Sequence, residues 1–473
     1  MKTKAFIKEV FSKTPVVSDP STSLLLKRWC SKIIAMQKIF IRLIHTNVCL
    51  SNYSEWRFMR FRLNINKVCP FLLGSILLLM VSAPAYTQIL EYQAMALWGG
   101  SRSNFYDTGG TGLKNIDIIA ASGANAVTLC INSRINIKDN ESSFTSILDD
   151  PTAYTNYKKA ALYARSKGLM VILKPFVLGT QGVLQNSRYC PPDGNVFFAS
   201  VEHDLMNNVK LAKEVDAEML IIGTEMGGKI TSNHSDYGYN NCIAWHKIIK
   251  NIRTAAPKLK LTYSATMTNT WNKLSSNEAP RICFWDELDY IGLNAYPDMN
   301  NISPTASADD YYNRLFDNGN PISNGGDDGT ANPVFSLSDF SSQYGITNQS
   351  WVKYIEFVTN GIRKLANKPN MQVILPEIGS TSTNNVLGYW GASGGEGTKT
   401  LNYTGQANGW DGVMKALATD KSMRSMVVGI SIWAVEASHD PRDTTSTSWQ
   451  KSFDVVGKPA YDVIKKWFTL PQP

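Results

Sequence analysis

Eight short apolar runs recur along residues 94–436, and they constrain the fold more than any other feature of the chain. They are Ala94–Gly100, Asn125–Ile131, Met170–Val177, Ala217–Glu225, Lys260–Thr266, Tyr290–Pro297, Gln372–Gly379 and Val427–Glu436. Each is continuously apolar rather than alternating, the pattern of parallel strands covered on both faces. Segments of helical period separate most of them: Asp117–Ala121, Tyr154–Lys167, Val201–Val215, Tyr239–Ala255, Ser350–Ala366, Gln406–Lys421 and Pro459–Phe468. In Tyr239–Ala255 the residues Trp245, Ile248, Ile249 and Ile252 fall at i, i+3, i+4 and i+7, one stripe for packing on a sheet. Strands alternating with helices predict an α/β fold, a (β/α)8 TIM barrel with enlarged βα loops. An open doubly wound sheet is the rival, but no GxGxxG or GxxxxGK[ST] follows the first strand.

The chain's 473 residues carry a formal charge of +8, which misleads until it is divided. Residues 1–88 hold 13 Lys and Arg against Glu9, Asp19 and Glu55, leaving 34 basic and 36 acidic side chains in the remainder. The body is therefore not basic, and no nucleic-acid partner is expected. Residues 59–85 have the layout of a signal peptide: a basic stretch from Met59 to Lys67, the apolar run Pro70–Val81, and Ala83 and Ala85 before a cut. The apolar run is short for a bilayer span. Three parts follow: 1–58, a basic extension; 59–85, a signal peptide or signal anchor; and 86–473, the barrel. The expected product is secreted and monomeric, touching a membrane only if residues 68–85 stay attached.

Cysteine and histidine usage narrows the chemistry. Cys130, Cys190, Cys242 and Cys283 are widely spaced with no CxxC, so one bridge or free buried thiols are equally open. His203, His234, His246 and His439 form no HxH or HExxH, and no metal or cofactor is expected. The acidic, Gly-rich stretch 317–330 lacks the spacing of a calcium loop. No GxSxG elbow supports a serine nucleophile.

The long connections follow the sixth run (298–349), the seventh (380–405) and the third (178–195), all at the barrel face where such enzymes hold their sites. Two runs end on a carboxylate: Met219-Leu-Ile-Ile-Gly-Thr-Glu225 and Val373-Ile-Leu-Pro-Glu377. From strands 4 and 7, taken as opposite in the ring, the two side chains would meet across the mouth. A carboxylate pair about 5–5.5 Å apart suits a retaining glycosidase. A salt bridge at a strand end accounts for either Glu alone, but less readily for the pair.

The ordered series of motifs resembles a clan A glycoside hydrolase, most of all family 113, whose known members are β-mannanases. It comprises Gly168–Pro175, Ile222-Gly-Thr-Glu225, Trp245 with Ile248, Ile249 and Arg253, Leu261–Ala265, Phe284–Pro297, Pro376-Glu377-Ile-Gly379 and Gly429-Ile-Ser-Ile-Trp433. The resemblance implies Glu225 as acid/base and Glu377 as nucleophile. Tyr296, on the strand beside Glu377, is placed to give it a hydroxyl, and Trp433 to lie beneath a sugar or to fill a barrel layer. Trp98 and Lys174 are rim candidates for substrate contact, Lys174 equally a counter-charge. Trp271, Trp285 and Trp390 are candidates for outer subsites, Trp285 equally for helix packing. Asn294 faces either the mouth or a helix, and His439 lies just past strand 8. The chain departs from the family at Phe176, where a His is usual after Lys-Pro, and in having no Trp over 178–195. These changes touch hydroxyl recognition rather than the paired carboxylates.

The expected activity is endo-hydrolysis of a β-linked oligo- or polysaccharide, β-1,4-mannan first and another β-glycan second. A carbohydrate-binding barrel without activity is the alternative from a different class; Gln or Ala at 225 or 377 would have favoured it.

Overall fold

Parallel pairing of consecutive strands continues until the eighth meets the first, closing a barrel. In the computed structural model the strands are β1 Tyr92–Trp98, β2 Ala126–Arg134, β3 Met170–Gly179, β4 Met219–Thr224, β5 Lys260–Thr266, β6 Ile291–Asn294, β7 Val373–Gly379 and β8 Val427–Glu436. A two-residue antiparallel strand, Gly182–Val183, folds back on the end of β3. The structure describes residues 89–99, 102–137, 141–179, 182–184, 189–232, 240–267, 278–297, 299, 302–316, 350–384 and 400–470. The proposed signal segment 59–85, the extension before it, Trp271, Trp390, His234 and the stretch 317–330 lie outside these residues. No helix among the described residues is long and apolar enough to cross a membrane.

The helices of six residues or more among the described residues are α1 Thr111–Ala121, α2 Pro151–Ser166, α3 Gly194–Val215, α4 Asn241–Ala255, α5 Ala308–Phe316, α6 Trp351–Leu365, α7 Tyr403–Thr419, α8 Lys421–Met426 and α9 Pro459–Thr469. Side-chain caps set several starts earlier than the apolar stripe alone indicates. Asp150 accepts from Thr152 N–H ahead of Pro151, and Asp193 accepts from the amides of Asn195 and Val196. The expected helix Gln406–Lys421 starts earlier and ends at Thr419 as α7, because Asp420 leaves the helical backbone and caps α8 by accepting from Met423 N–H. Between β5 and β6 the described residues form only two 3-10 turns, Ala279–Arg281 and Trp285–Glu287, so the expected eighth helix is not among them. Cys242, at the start of α4, is bonded to Cys283, between these turns.

The barrel interior changes character along its axis. Its floor is apolar, built from Tyr92, Ala94, Ala126, Ile172, Met219, Ile221, Tyr290 and Ile374. Above it lies a polar belt in which the Ser431 hydroxyl donates to Thr128 and the Ser264 hydroxyl to Asn294. The mouth is lined by Ala96, Cys130, Phe176, Leu178 and Val183, with Trp98 and Trp433 against them. The register slips at four places beside the mouth: between Met95 and Leu97, between Ile221 and Thr224, between Gly292 and Asn294, and between Leu375 and Ile378. Leu375 and Ile378 both pack in the outer core with the helices. Strict alternation would send one of them inward, so the slip is what frees Glu377 to face the lumen.

Candidate active site

Glu377 is held from two neighbouring directions. Lys174 Nζ, from β3, donates to its Oε1 at 2.5 Å, and Tyr296 Oη, just past β6, donates to its Oε2 at 3.0 Å. Lys174 and Glu377 are almost completely buried, at 0% and 2% side-chain exposure, so neither charge can turn to water for compensation. The Lys174 ammonium also lies 5.0 Å from the Phe176 ring centre and 5.4 Å from that of Trp433. Lys174 is thus a counter-charge beneath the site rather than a rim residue. Behind Tyr296 the ring of Phe453 packs edge-on at 6.1 Å. Gly379 makes room there, since a Cβ on it would lie 2.8 Å from Phe453 and 2.6 Å from the Trp433 carbonyl.

Glu225 sits one residue past β4 with φ at +47°, a left-handed backbone that costs a side-chain-bearing residue about 1–2 kcal/mol. Its amide donates to the Ser264 carbonyl, and its Oε1 accepts from Asn294 Nδ2 at 2.9 Å. The Ser264 hydroxyl, at 2.6 Å from Asn294 Oδ1, orients that amide. Burial first, then the negative charge of Glu377, push the Glu225 carboxyl up to about 8, while the Asn294 hydrogen bond opposes them. Glu225 is therefore built to carry a proton at neutral pH.

Asn294 joins the two carboxylates. Its backbone pairs with Glu377 across β6 and β7, and its side chain reaches Glu225. Strands β4 and β7 are not diametrically opposed as expected: on one side only β5 and β6 lie between them. Asn294 faces the mouth, which settles the choice left open by periodicity.

Over this pair stands an aromatic wall. Trp98 lies 5.2 Å from Phe176 and 5.1 Å from Trp433, and Phe176 lies 6.0 Å from Trp433. These rings, with Leu178, Val183, Arg134 and Glu377, enclose a cavity of about 300 Å3. A second cavity of about 630 Å3, lined by Arg134, Asn136, Glu141, Ser143 and Thr145 among others, meets the first at Arg134 and Gly179. A cleft with ring faces at one end and hydrogen-bonding side chains at the other suits a sugar chain, whose units have apolar faces and hydroxyl rims.

Residues 98–319 match the model of Glycoside Hydrolase Family 113. The chain is a glycoside hydrolase. Solved structures with the same fold include a family 113 β-1,4-mannanase, 16% identical with a TM-score of 0.54, covering 81% of this chain and 99% of that one. Another is the family 113 β-mannanase of Alicyclobacillus acidocaldarius in complex with ManMIm, 16% identical with a TM-score of 0.53, covering 80% and 97%. At such identity the likeness speaks for the barrel alone. No curated protein sequence matches the chain.

Of the glycosidase's expected site residues, Glu225, Glu377, Lys174, Tyr296, Asn294, Trp98 and Trp433 converge on the mouth, and Trp271 lies outside the described residues. Trp285 is 1% exposed and donates its indole N–H to the Ala279 carbonyl, so it is a packing residue and not a subsite. His439 stacks face to face on Trp449 at 4.9 Å. Three residues escaped the sequence reading. Ser264 orients Asn294, Arg134 joins the two cavities, and Glu278 is a third buried carboxylate beside Glu225. Only Arg134, ending an apolar strand on a charge, carried a signal that strand-end reading can detect.

Proposed function

We propose that the enzyme is a retaining endo-glycosidase of β-linked polysaccharide, β-1,4-mannan before others, with Glu377 as nucleophile and Glu225 as acid/base. The unlike settings of the two carboxylates carry this reading. Glu225 is raised by burial and a neighbouring negative charge, as a proton donor must be near neutrality. Glu377 instead accepts hydrogen bonds on both oxygens, from Lys174 and Tyr296. In the first step a Glu377 oxygen attacks the anomeric carbon while the bond to the leaving sugar breaks, and Glu225 gives its proton to the departing oxygen. In the second, water attacks the same carbon, Glu225 takes up a water proton, and the glycosyl ester to Glu377 breaks, restoring both groups.

The family 113 match and the mannanases among the solved structures support mannan as the first substrate. The aromatic wall supports the second reading, another β-glycan, because Phe176 offers no hydrogen bond by which to tell one sugar hydroxyl from another. The two joined cavities favour a chain rather than a single sugar, hence endo action. The Cys242–Cys283 bond supports export through the 59–85 segment, since disulfides persist in oxidising compartments.

The test is reducing-sugar release from mannan, glucomannan, cellulose, xylan and galactan, with Glu377→Ala alongside. Release of a range of oligosaccharides from mannan by the native enzyme alone is expected. Equal release by Glu377→Ala would end the assignment, and a different preferred polymer would replace mannan.

A further inference from the structure

Glu278 is fully buried, yet no strand ends on it. It stands just before the 3-10 turn Ala279–Arg281 and gathers four hydrogen bonds from two segments. From the turn after Glu225, Gly227 N–H donates to its Oε1 at 2.9 Å and the Thr231 hydroxyl at 3.3 Å. From β5, the Tyr263 hydroxyl donates to Oε1 at 2.7 Å and Thr266 N–H to Oε2 at 3.2 Å. Tyr263 Oη in turn accepts from Met226 N–H at 2.9 Å, so one phenol both receives and donates. Gly223 lets that ring lie against β4, since a Cβ there would come within 2.7 Å of it. The segment bearing Glu278 is itself fastened, for Cys283 N–H donates to the Thr231 carbonyl and its sulfur is bonded to Cys242.

The two backbone amides that follow Glu225 are thus tied to one carboxylate: Met226 through the phenol, Gly227 directly. A left-handed residue persists only where its surroundings determine it from several sides. We propose that Glu278 is a positioning residue for Glu225: it holds the turn so that the acid faces the glycosidic oxygen, and it sets a second negative charge behind it. This rests on reading Glu225 as the acid/base.

The charge matters as well as the geometry. Among the described residues the groups facing Glu225 are Glu377 from β7, Lys174 from β3, Asn294 from β6, Tyr263 from β5 and Glu278 itself; burial pushes Glu278 up to about 7, so its charge is present as pH nears 8 and there works with that of Glu377 to keep Glu225 protonated. Glu278→Gln keeps an oxygen for Gly227 and Tyr263 but removes the charge and turns an amide N–H toward Thr266 N–H.

The experiment compares kcat/KM on the oligosaccharide the enzyme cleaves with kcat/KM on its 2,4-dinitrophenyl glycoside, whose leaving group departs without a proton. Glu278→Gln is expected to lose about 10–100-fold on the first and less than threefold on the second. The basic limb of its pH profile moves downward by about half a unit or more, because less negative charge lets Glu225 ionise sooner. Tyr263→Phe, which strips Met226 N–H of its acceptor and Glu278 of a donor that favours its ionised form, gives the same split between substrates and moves the limb in the same direction by a smaller amount. Equal losses on both substrates with the limb in place would reduce Glu278 to a structural role and overturn the proposal. Should Glu278→Gln not fold, equal losses in Tyr263→Phe overturn it. Glu225→Gln is the control. If it shows no split, the acid/base reading fails first and this one with it; if it does and Glu278→Gln does not, this one fails alone.

Discussion

The β7 end and the β4 end of the barrel each present one glutamate to the same mouth and treat it in opposite ways. At β7 a register slip turns Glu377 inward within a strand, onto a buried ammonium and a phenol. At β4 Glu225 stands beyond the strand on a left-handed turn, facing two other carboxylates and accepting from the Asn294 side-chain amide. The same residue type therefore serves as a hydrogen-bond acceptor in one place and a proton carrier in the other. Neighbours set the role, and they lie far away in sequence.

The strongest way to break this contrast is to remove each glutamate in turn. Glu377→Ala is expected to lower kcat by roughly 10^4–10^6-fold on every substrate. Glu225→Ala lowers it by about 10^2–10^4-fold on unactivated glycan. Added azide restores part of the turnover in both, giving a product of inverted configuration with the first variant and retained with the second. Identical products, read by proton NMR of the glycosyl azide, would show that the two stations do not differ.

Next in size is the counter-charge. Lys174→Met leaves the Glu377 carboxylate buried without its partner, a loss of about 3–5 kcal/mol of stability. Thermal unfolding should show a large fall in Tm, whereas Glu225→Gln, replacing an already protonated group, should stay within a few degrees of the native enzyme. Equal shifts would contradict the assigned protonation.

A smaller effect sharpens the β4 side. The kcat/KM of the native enzyme should fall as pH rises through about 8, where Glu225 loses the proton it must deliver. Asn294 donates to Glu225 and so favours its ionised form; Asn294→Ala should move that limb to higher pH, opposite to Glu278→Gln. A titration series of initial rates decides it. Smallest is Trp98→Ala, which removes one ring of the wall without touching either carboxylate. KM should rise about 5–10-fold at nearly constant kcat, a loss of binding shared by ground and transition states.

Much of this was legible in the chain. Continuous apolar runs mark parallel strands because both faces of each are covered, and a carboxylate closing such a run must stand at a barrel end. Glu225 and Glu377 were visible on that ground, as was Tyr296 beside the second. Glu278 was not, because its Asn-Glu-Ala-Pro setting ends no strand and its partners Gly227, Tyr263 and Thr266 reach it from separate segments. Trp285 misled for the converse reason: an indole reads the same in sequence whether it faces a cleft or donates to the Ala279 carbonyl.

Periodicity, then, determined the barrel, its strand order and the strand ends that form its mouth, since continuous apolar runs mark segments covered on both faces. Tertiary structure alone decided that Glu377 turns inward at a slipped register, that Lys174 serves it from below, and that Glu225 keeps its proton. Those outcomes depend on distances between residues tens to hundreds of positions apart, and electrostatic effects follow distance in space rather than order along the chain.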